Sequence, residues 1–156
     1  MSSWTLGKFS VNVELGKIDD SNMDLVVKTK DVRLGTMEAT FTVKEGSNAA
    51  EVLYWPRISL SNPDRRSEIY SAALEALERA IDTKAQRVGF FTMGLEVSRI
   101  PSWEVAEEII KAILKHSMTE SDIDRISLVA SSPIQVSSFQ YALNNIPTIV
   151  REQSKF

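Results

Sequence analysis

Alternating apolar and polar positions run through the first third of the chain and predict β-strands. Residues 8–15 alternate with the period of a half-buried strand. An apolar run at 23–28 and a second alternating segment at 36–44 follow, and the segment 49–56 is stopped by Pro56. We therefore predict four strands in this part of the chain.

Helical spacing takes over in the remaining two-thirds. Apolar residues recur at this spacing from 61 to 82, with Asn62 as the predicted N-cap and Pro63 as the first helical residue. The later predicted elements are a strand at 87–93, a helix at 102–116, a strand at 124–132, a helix at 132–145 and a loosely held tail at 147–156. Alternating strand–helix units imply parallel strands, and the strand-rich start implies a mixed sheet. We predict one α/β domain over residues 1–156, a three-layer α/β/α sandwich.

Composition narrows the chemistry that this domain can support. The chain has 156 residues, no cysteine and one histidine, so we expect no disulfide, no thiol catalysis and no metal site. Its net charge of −3 does not favour broad affinity for nucleic acids or membranes. It lacks the basic and apolar regions of a signal peptide and any apolar run of the roughly 18 residues that a membrane span needs. We expect a soluble protein of the cytoplasm or nucleus.

Several segments, taken in order, resemble one known family. They are "FSVNVELGKIDDSNMDLVV" (9–27), "SEIYSAALEALERAIDTKAQRVGFFTMG" (67–94), "PSWEVAEEIIKAILKH" (101–116) and "DRISLVASSPIQVSSFQYAL" (124–143). Their order and apolar pattern resemble the macro domain across roughly residues 9–143, although its signature motifs are not reproduced. Macro domains bind ADP-ribose, and some hydrolyse it from proteins. The resemblance implies a macro-like fold and a ligand of the ADP-ribose or nucleotide class.

The turn after the first predicted strand departs from the family pattern. The family carries a Gly-Asp-Ile turn whose acid contacts adenine, and here Lys17 occupies the position of that acid. Asp19 and Asp20 follow one or two residues late. The resemblance makes Lys17, Asp19 and Asp20 candidate ligand contacts. Acids in such a turn more often cap backbone groups than form a carboxylate pair, and the same holds for Asp24.

The segment after "DLVV" departs further. The family has an Asn-Ala-Ala-Asn stretch that holds a ribose, followed by a glycine-rich loop and a helix, whereas this chain continues Lys28-Thr29-Lys30-Asp31 and lacks that helix. Lys28, Lys30 and Arg33 are candidates for phosphate or RNA contacts. The alternative, which we favour, is a solvated loop.

The segment 94–101 stands where the family has its diphosphate loop, and Gly94 and Pro101 match that loop. Glu96 brings negative charge, and the bulky Val97 and Ile100 resist positive φ angles. Ser98 and Arg99 partly compensate. We predict that this loop turns the chain rather than holding a diphosphate.

Arg57, Arg65 and Arg66 flank the first predicted helix, where they assist an anion site or lie in solvent. The full set of candidate ligand-binding residues is Lys17, Asp19, Asp20, Lys28, Lys30, Gly94, Ser98 and Arg99, with no catalytic residue, cofactor or metal ligand. We favour a non-catalytic macro-like module that binds ADP-ribose or a related nucleotide. The first alternative is a protein- or RNA-interaction module that has lost the nucleotide site, and the second is an ADP-ribosyl hydrolase.

Overall fold

The computed structural model describes residues 3–30, 32–35, 40–43 and 45–149, with the side chains of 32–35 and 40–43 left out. Its strands are β1 (Ser3–Leu6), β2 (Phe9–Leu15), β3 (Leu25–Lys28), β4 (Val32–Gly35), β5 (Thr40–Val43), β6 (Glu51–Tyr54), β7 (Arg87–Phe91) and β8 (Arg125–Ala130). Its helices are α1 (Arg65–Asp82), α2 (Met93–Val97), α3 (Ser102–His116) and α4 (Pro133–Asn144). None of the helices in the described part of the chain combines the length and apolarity of a membrane span.

Six strands form one mixed sheet, in the order β1-β2-β8-β7-β3-β6. The five strands from β2 to β6 in that order are parallel, and β1 pairs antiparallel with β2. The predicted α/β class with a mixed sheet is therefore confirmed. The parallel arrangement brings five carboxyl ends to one edge of the sheet, which is where ligands bind in open α/β folds.

The two faces of the sheet are covered differently. Leu25 and Val27 of β3 point into the larger core cluster, which contains buried residues of α1, α3 and α4. Val26, on the opposite face, belongs to a small cluster with Met23, Phe91 and Val129. In the described residues, the helical layer of the predicted sandwich thus lies on the first face, and strands and loops make up the second cluster.

Several predicted boundaries need correction. Helix α1 begins at Arg65 with Asp64 as its N-cap, because Asn62 forms a turn in which its side chain accepts a hydrogen bond from the Asp64 N–H at 2.8 Å. The sequence also missed β1, β4 and the short helix α2. Residues 36–39 and 44 of the predicted strand 36–44 lie outside the described residues, and its described part is β5.

The connection between β3 and β6 is the other large difference from a regular α/β repeat. Its described residues form an antiparallel hairpin of β4 and β5, which pairs apart from the main sheet. None of these described residues is helical. At the other end of the chain, residues 147–149 of the predicted loose tail are helical and Ile149 is buried in the main core, so the prediction is wrong for these three residues; residues 150–156 lie outside the described residues.

Candidate functional site

The carboxyl ends of the parallel strands border two clefts. Cleft A has a volume of about 570 Å³ and is lined by 16–20, Lys28, 45–48, Phe91, Met93 and 129–131. Cleft B has a volume of about 450 Å³ and is lined by Thr29, Lys30, 54–58, Gly94, Leu95 and Ser98. Both volumes fall in the range of about 300–1,000 Å³ that is usual for ligand sites.

A tight contact between β3 and α2 separates the clefts. Consecutive residues line opposite clefts here: Lys28 and Met93 face cleft A, and Thr29 and Gly94 face cleft B. A Cβ atom on Gly94 would lie 1.7 Å from Thr29 Oγ1 and 2.6 Å from Thr29 Cβ. The glycine is therefore required for packing α2 against the end of β3. The segment 94–101, predicted to be a loop, begins inside this short helix.

Lys28 and Asp20 form an ion pair in the wall of cleft A. Their exposed fractions are 6% and 3%, and Lys28 Nζ lies 2.9 Å from Asp20 Oδ2. Lys28 also donates to the Gly46 carbonyl oxygen at 2.7 Å and lies 4.2 Å from the centre of the Phe91 ring. The interpretation of Lys28 as part of a solvated loop, or of an exposed basic cluster, is therefore wrong.

Asp20 also binds the segment 47–48 on the other side of the ion pair. Its carboxylate accepts hydrogen bonds from Ser47 Oγ at 2.5 Å and from the Asn48 N–H at 3.0 Å. Burial by itself would raise the pKa of Asp20, but the bonds from Ser47, Asn48 and Lys28 outweigh it and lower the pKa. The backbone-capping interpretation holds for Asp19 and Asp24 too, which accept from backbone N–H groups at 3.0 Å and 2.8 Å.

Glu45 is a cleft residue that the sequence did not single out. Its Oε1 accepts from the Thr29 N–H at 2.8 Å, and its own N–H donates to the Thr29 carbonyl oxygen at 3.3 Å. Burial raises the pKa of Glu45 and outweighs the hydrogen bonding from Thr29 and the charge of Lys28, which lower it; the nearby charge of Glu96 adds a smaller increase. This pairing joins positions sixteen residues apart, and we find no local pattern that predicts it.

Glu96 is the second carboxylate that is bound at the strand ends. We call the two clefts, together with Glu45 and Glu96, the crevice. Its Oε2 accepts from the Ser131 N–H at 2.9 Å and from Thr92 Oγ1 at 2.8 Å, and its Oε1 accepts from Ser132 Oγ at 2.5 Å. Ser132 is the N-cap of α4, so the carboxylate lies at the positive end of that helix dipole. The negative charge of Glu96, noted from the sequence of segment 94–101, is therefore stabilised by hydrogen bonds from the protein itself.

The structure divides the predicted site residues between the two clefts. Lys17, Asp19, Asp20 and Lys28 line cleft A; Lys30, Gly94 and Ser98 line cleft B. Arg99 lines neither cleft and borders a shallow groove beside Glu96. Arg99 adopts the positive φ of this segment, 65°. Val97 and Ile100, the bulky residues that were expected to resist a positive φ, do not adopt one.

The arginines at the start of α1 contact acids of α3. Arg65 forms a two-pronged pair with Glu104 at 2.8 and 2.9 Å, and Arg66 bonds Glu107 at 3.1 Å and Glu108 at 2.6 Å. Arg65 and Arg66 therefore bind α1 to α3, and the anion-site interpretation fails for these two.

Cleft A combines an apolar floor with a polar rim. Ile18, Phe91 and Val129 belong to the small second cluster and also line this cleft, while Asp19 and Glu45 supply acceptors at its edge. Such a mixture suits a flat, partly apolar group that carries hydrogen-bond donors. In the part of the chain that the structure describes, no group of three or more metal-binding side chains comes together.

Solved structures identify the fold. No family model matches the sequence, and no curated protein matches it. A variant of the Oceanobacillus iheyensis macrodomain with ADPR is similar at a TM-score of 0.70 and 13% identity, covering 94% of this chain and 98% of that one. The same macrodomain with ADP gives 0.69 and 11%, covering 94% and 96%. The Trypanosoma brucei macrodomain gives 0.59 and 10%, covering 88% and 68%. The chain thus has the macrodomain fold, as its resemblance predicted.

Proposed function

We propose that this protein is a binding module for a ligand with a nucleoside part, the class that includes ADP-ribose and the adenine nucleotides. One observation carries the proposal: cleft A lies at the carboxyl ends of parallel strands and joins an apolar floor to a rim of acceptors. The base would lie on Phe91 and Val129, with its donors toward Asp19 or Glu45. The remainder of the ligand would extend toward cleft B.

The similar structures support the same ligand class. Two of them are structures of the same Oceanobacillus iheyensis macrodomain, a variant with ADPR and the protein with ADP, and they share the fold over most of both chains. Cleft B offers the exposed Lys30 and the Ser98 hydroxyl for a polar extension of the ligand. These features favour a small molecule over an extended polymer.

We infer binding rather than catalysis from the positions of the reactive groups. Asp20 is held in its ion pair, and Glu45 and Glu96 are each bonded to backbone N–H groups. His116 lies at the end of α3, with its Nε2 3.6 Å from Glu78, and lines neither cleft. Incubation with an ADP-ribosylated protein would test this inference, because release of free ADP-ribose would favour the hydrolase alternative.

The interaction-module alternative has less support in the described residues. Its basic cluster comprised Lys28, Lys30 and Arg33, and Lys28 is buried and paired. The side chain of Arg33 lies outside the described residues. A steep salt dependence of RNA binding that weakened when Lys30 and Arg33 were changed together would revive that alternative.

Calorimetry with a matched pair of variants tests the proposal. We expect adenosine, ADP or ADP-ribose to give a saturable signal with the unaltered protein, and Ser131→Trp to abolish it by filling cleft A. Ser98→Trp is the matched control for adenosine, which has no extension into cleft B, since it places the same bulk in that cleft. A ligand at a hundredfold its Kd also stabilises the fold by about 2.7 kcal/mol, which thermal melting detects.

Two results would contradict the proposal. The first is a flat titration for all three compounds at millimolar concentration. The second is a signal that survives Ser131→Trp but is lost in Ser98→Trp, which would move the site to cleft B.

A further inference from the structure

Two backbone N–H groups at the strand ends are each held by a carboxylate of the chain itself. The Thr29 N–H, just beyond β3, donates to Glu45 at 2.8 Å, and the Ser131 N–H, just beyond β8, donates to Glu96 at 2.9 Å. Free N–H groups at such strand and helix ends are what normally hold a phosphate. At these two positions the anion is already supplied by the protein.

The two carboxylates also lie beside the contact that separates the clefts. Glu45 lines cleft A, yet its carboxylate is bonded to Thr29, which lines cleft B. Glu96 is bonded to Ser131, which lines cleft A, and it lies close enough to Glu45 for its charge to act on that carboxyl group. A phosphate attached to a ligand in cleft A would lie beside Glu45, and the charge of Glu96 is held on the Ser131 N–H of the same cleft.

The charges around cleft A do not compensate for these two carboxylates. Lys28 and Asp20 neutralise one another in their ion pair. Of the other charged residues that line the cleft and are described, Lys17 opposes Asp19, which leaves Glu45 unbalanced; Glu96, bonded to the Ser131 N–H of the cleft, adds a second negative charge. The cleft is therefore net negative, which disfavours anions and favours groups that donate hydrogen bonds.

We propose that Glu45 and Glu96 are specificity-determining residues that make cleft A select an uncharged nucleoside over its phosphorylated forms. The ribose hydroxyls or ring amino groups of such a ligand would donate to carboxylates that repel a phosphate. This inference rests on the proposed function and narrows it to one chemical class.

The test compares adenosine with AMP and ADP-ribose by calorimetry at pH 7.5, using the full chain. We expect the unaltered protein to bind adenosine about tenfold more tightly than AMP, the ratio that roughly 1.4 kcal/mol of charge repulsion produces. Glu45→Gln and Glu96→Gln keep the side-chain shape and remove the charge. We expect each variant to narrow the ratio and the double variant to narrow it most.

Glu75→Gln is the matched control. It removes the same charge from an exposed position on α1 that lines neither cleft, so the ratio should not change. Thermal melting before each titration establishes that a variant is folded. The comparison of adenosine with AMP on the unaltered protein needs no variant and stands alone.

The outcomes separate this inference from the proposed function. If the unaltered protein binds AMP or ADP-ribose as tightly as adenosine, the inference is wrong and the proposed function stands. The inference also fails if the double variant keeps the ratio of the unaltered protein. If no compound binds, both proposals fail together.

Discussion

Two charged regions of this molecule satisfy their carboxylates in opposite ways. Between α1 and α3, glutamates meet cations: Arg65 pairs with Glu104, and Arg66 and Lys111 both pair with Glu108. In the crevice, Glu45 and Glu96 meet backbone N–H groups and hydroxyls instead.

The difference shows what each region is able to do. In the α1–α3 seam, opposite charges cancel, so the seam holds two helices together and presents little net field. Hydrogen bonds from neutral donors leave a carboxylate's charge in place, so the crevice keeps a negative potential that a ligand experiences. Lys28 and Asp20 are the exception in the crevice, because their opposite charges cancel as those of the ion pairs between α1 and α3 do.

The largest loss of stability should come from Lys28→Met, which breaks the Lys28–Asp20 ion pair. The change leaves the Asp20 carboxylate buried without its cation and deprives the Gly46 carbonyl of a donor. We expect a loss of about 3 kcal/mol in the free energy of unfolding, as is typical for half of a buried pair. Urea unfolding at pH 7 measures it. Lys30→Met, at an exposed position two residues on, should cost no more than about 0.5 kcal/mol. Equal losses in the two variants would contradict the buried pair.

The sequence predicted the sheet and the long helices because these depend on local periodicity. The alternation in β2 and the helical spacing in α3 appear within short windows of sequence, so their bounds agree closely with the structure. The four-residue strand β1 and the five-residue helix α2 give too few positions for a period to appear. Gly94, a residue type that usually interrupts helices, also argued against predicting α2.

The site was less predictable because its contacts are long-range. Glu96 and Ser131 are thirty-five residues apart, and Lys28 resembled a loop residue because charged side chains are usually exposed. The sequence identified the negative charge at Glu96 but could not locate the donors that bind it. Arg65 and Arg66 were ambiguous for the same reason, since their acids lie about forty residues away.

A smaller effect should come from the α1–α3 seam with Arg66→Met. The Arg66 side chain is 33% exposed, it stacks on Trp103 at 5.0 Å, and Glu108 keeps Lys111 as a partner when Arg66 is removed. We expect a loss of about 1 kcal/mol at low salt. The loss should shrink at 1 M salt, where charges are screened over about 3 Å. Chemical unfolding at both salt concentrations measures it, and an equal loss at both would indicate packing rather than ion pairing.

The smallest effect, and the sharpest test of the crevice, is the pH dependence of Glu45→Gln. Because burial raises the pKa of Glu45 in the folded protein, the folded state binds this proton more tightly than the unfolded chain does. The unaltered protein should therefore lose stability as pH rises above about 4.3, the unfolded value, through the raised pKa of the folded state. The glutamine variant has no such loss and still accepts from the Thr29 N–H. Its stability relative to the unaltered protein should therefore rise with pH over this range.

Unfolding free energies from pH 4 to 8 give this difference, and Glu75→Gln, exposed on α1, should show no such trend. A difference that stays flat would mean that Glu45 is as well solvated in the folded state as in the unfolded chain. A difference that falls with pH would mean that the Thr29 hydrogen bonds and Lys28 stabilise the Glu45 charge more than burial and Glu96 destabilise it. In that case the folded protein would stabilise the charge of Glu45, as it does for the carboxylates between α1 and α3, and the contrast between the two regions would rest on Glu96 alone.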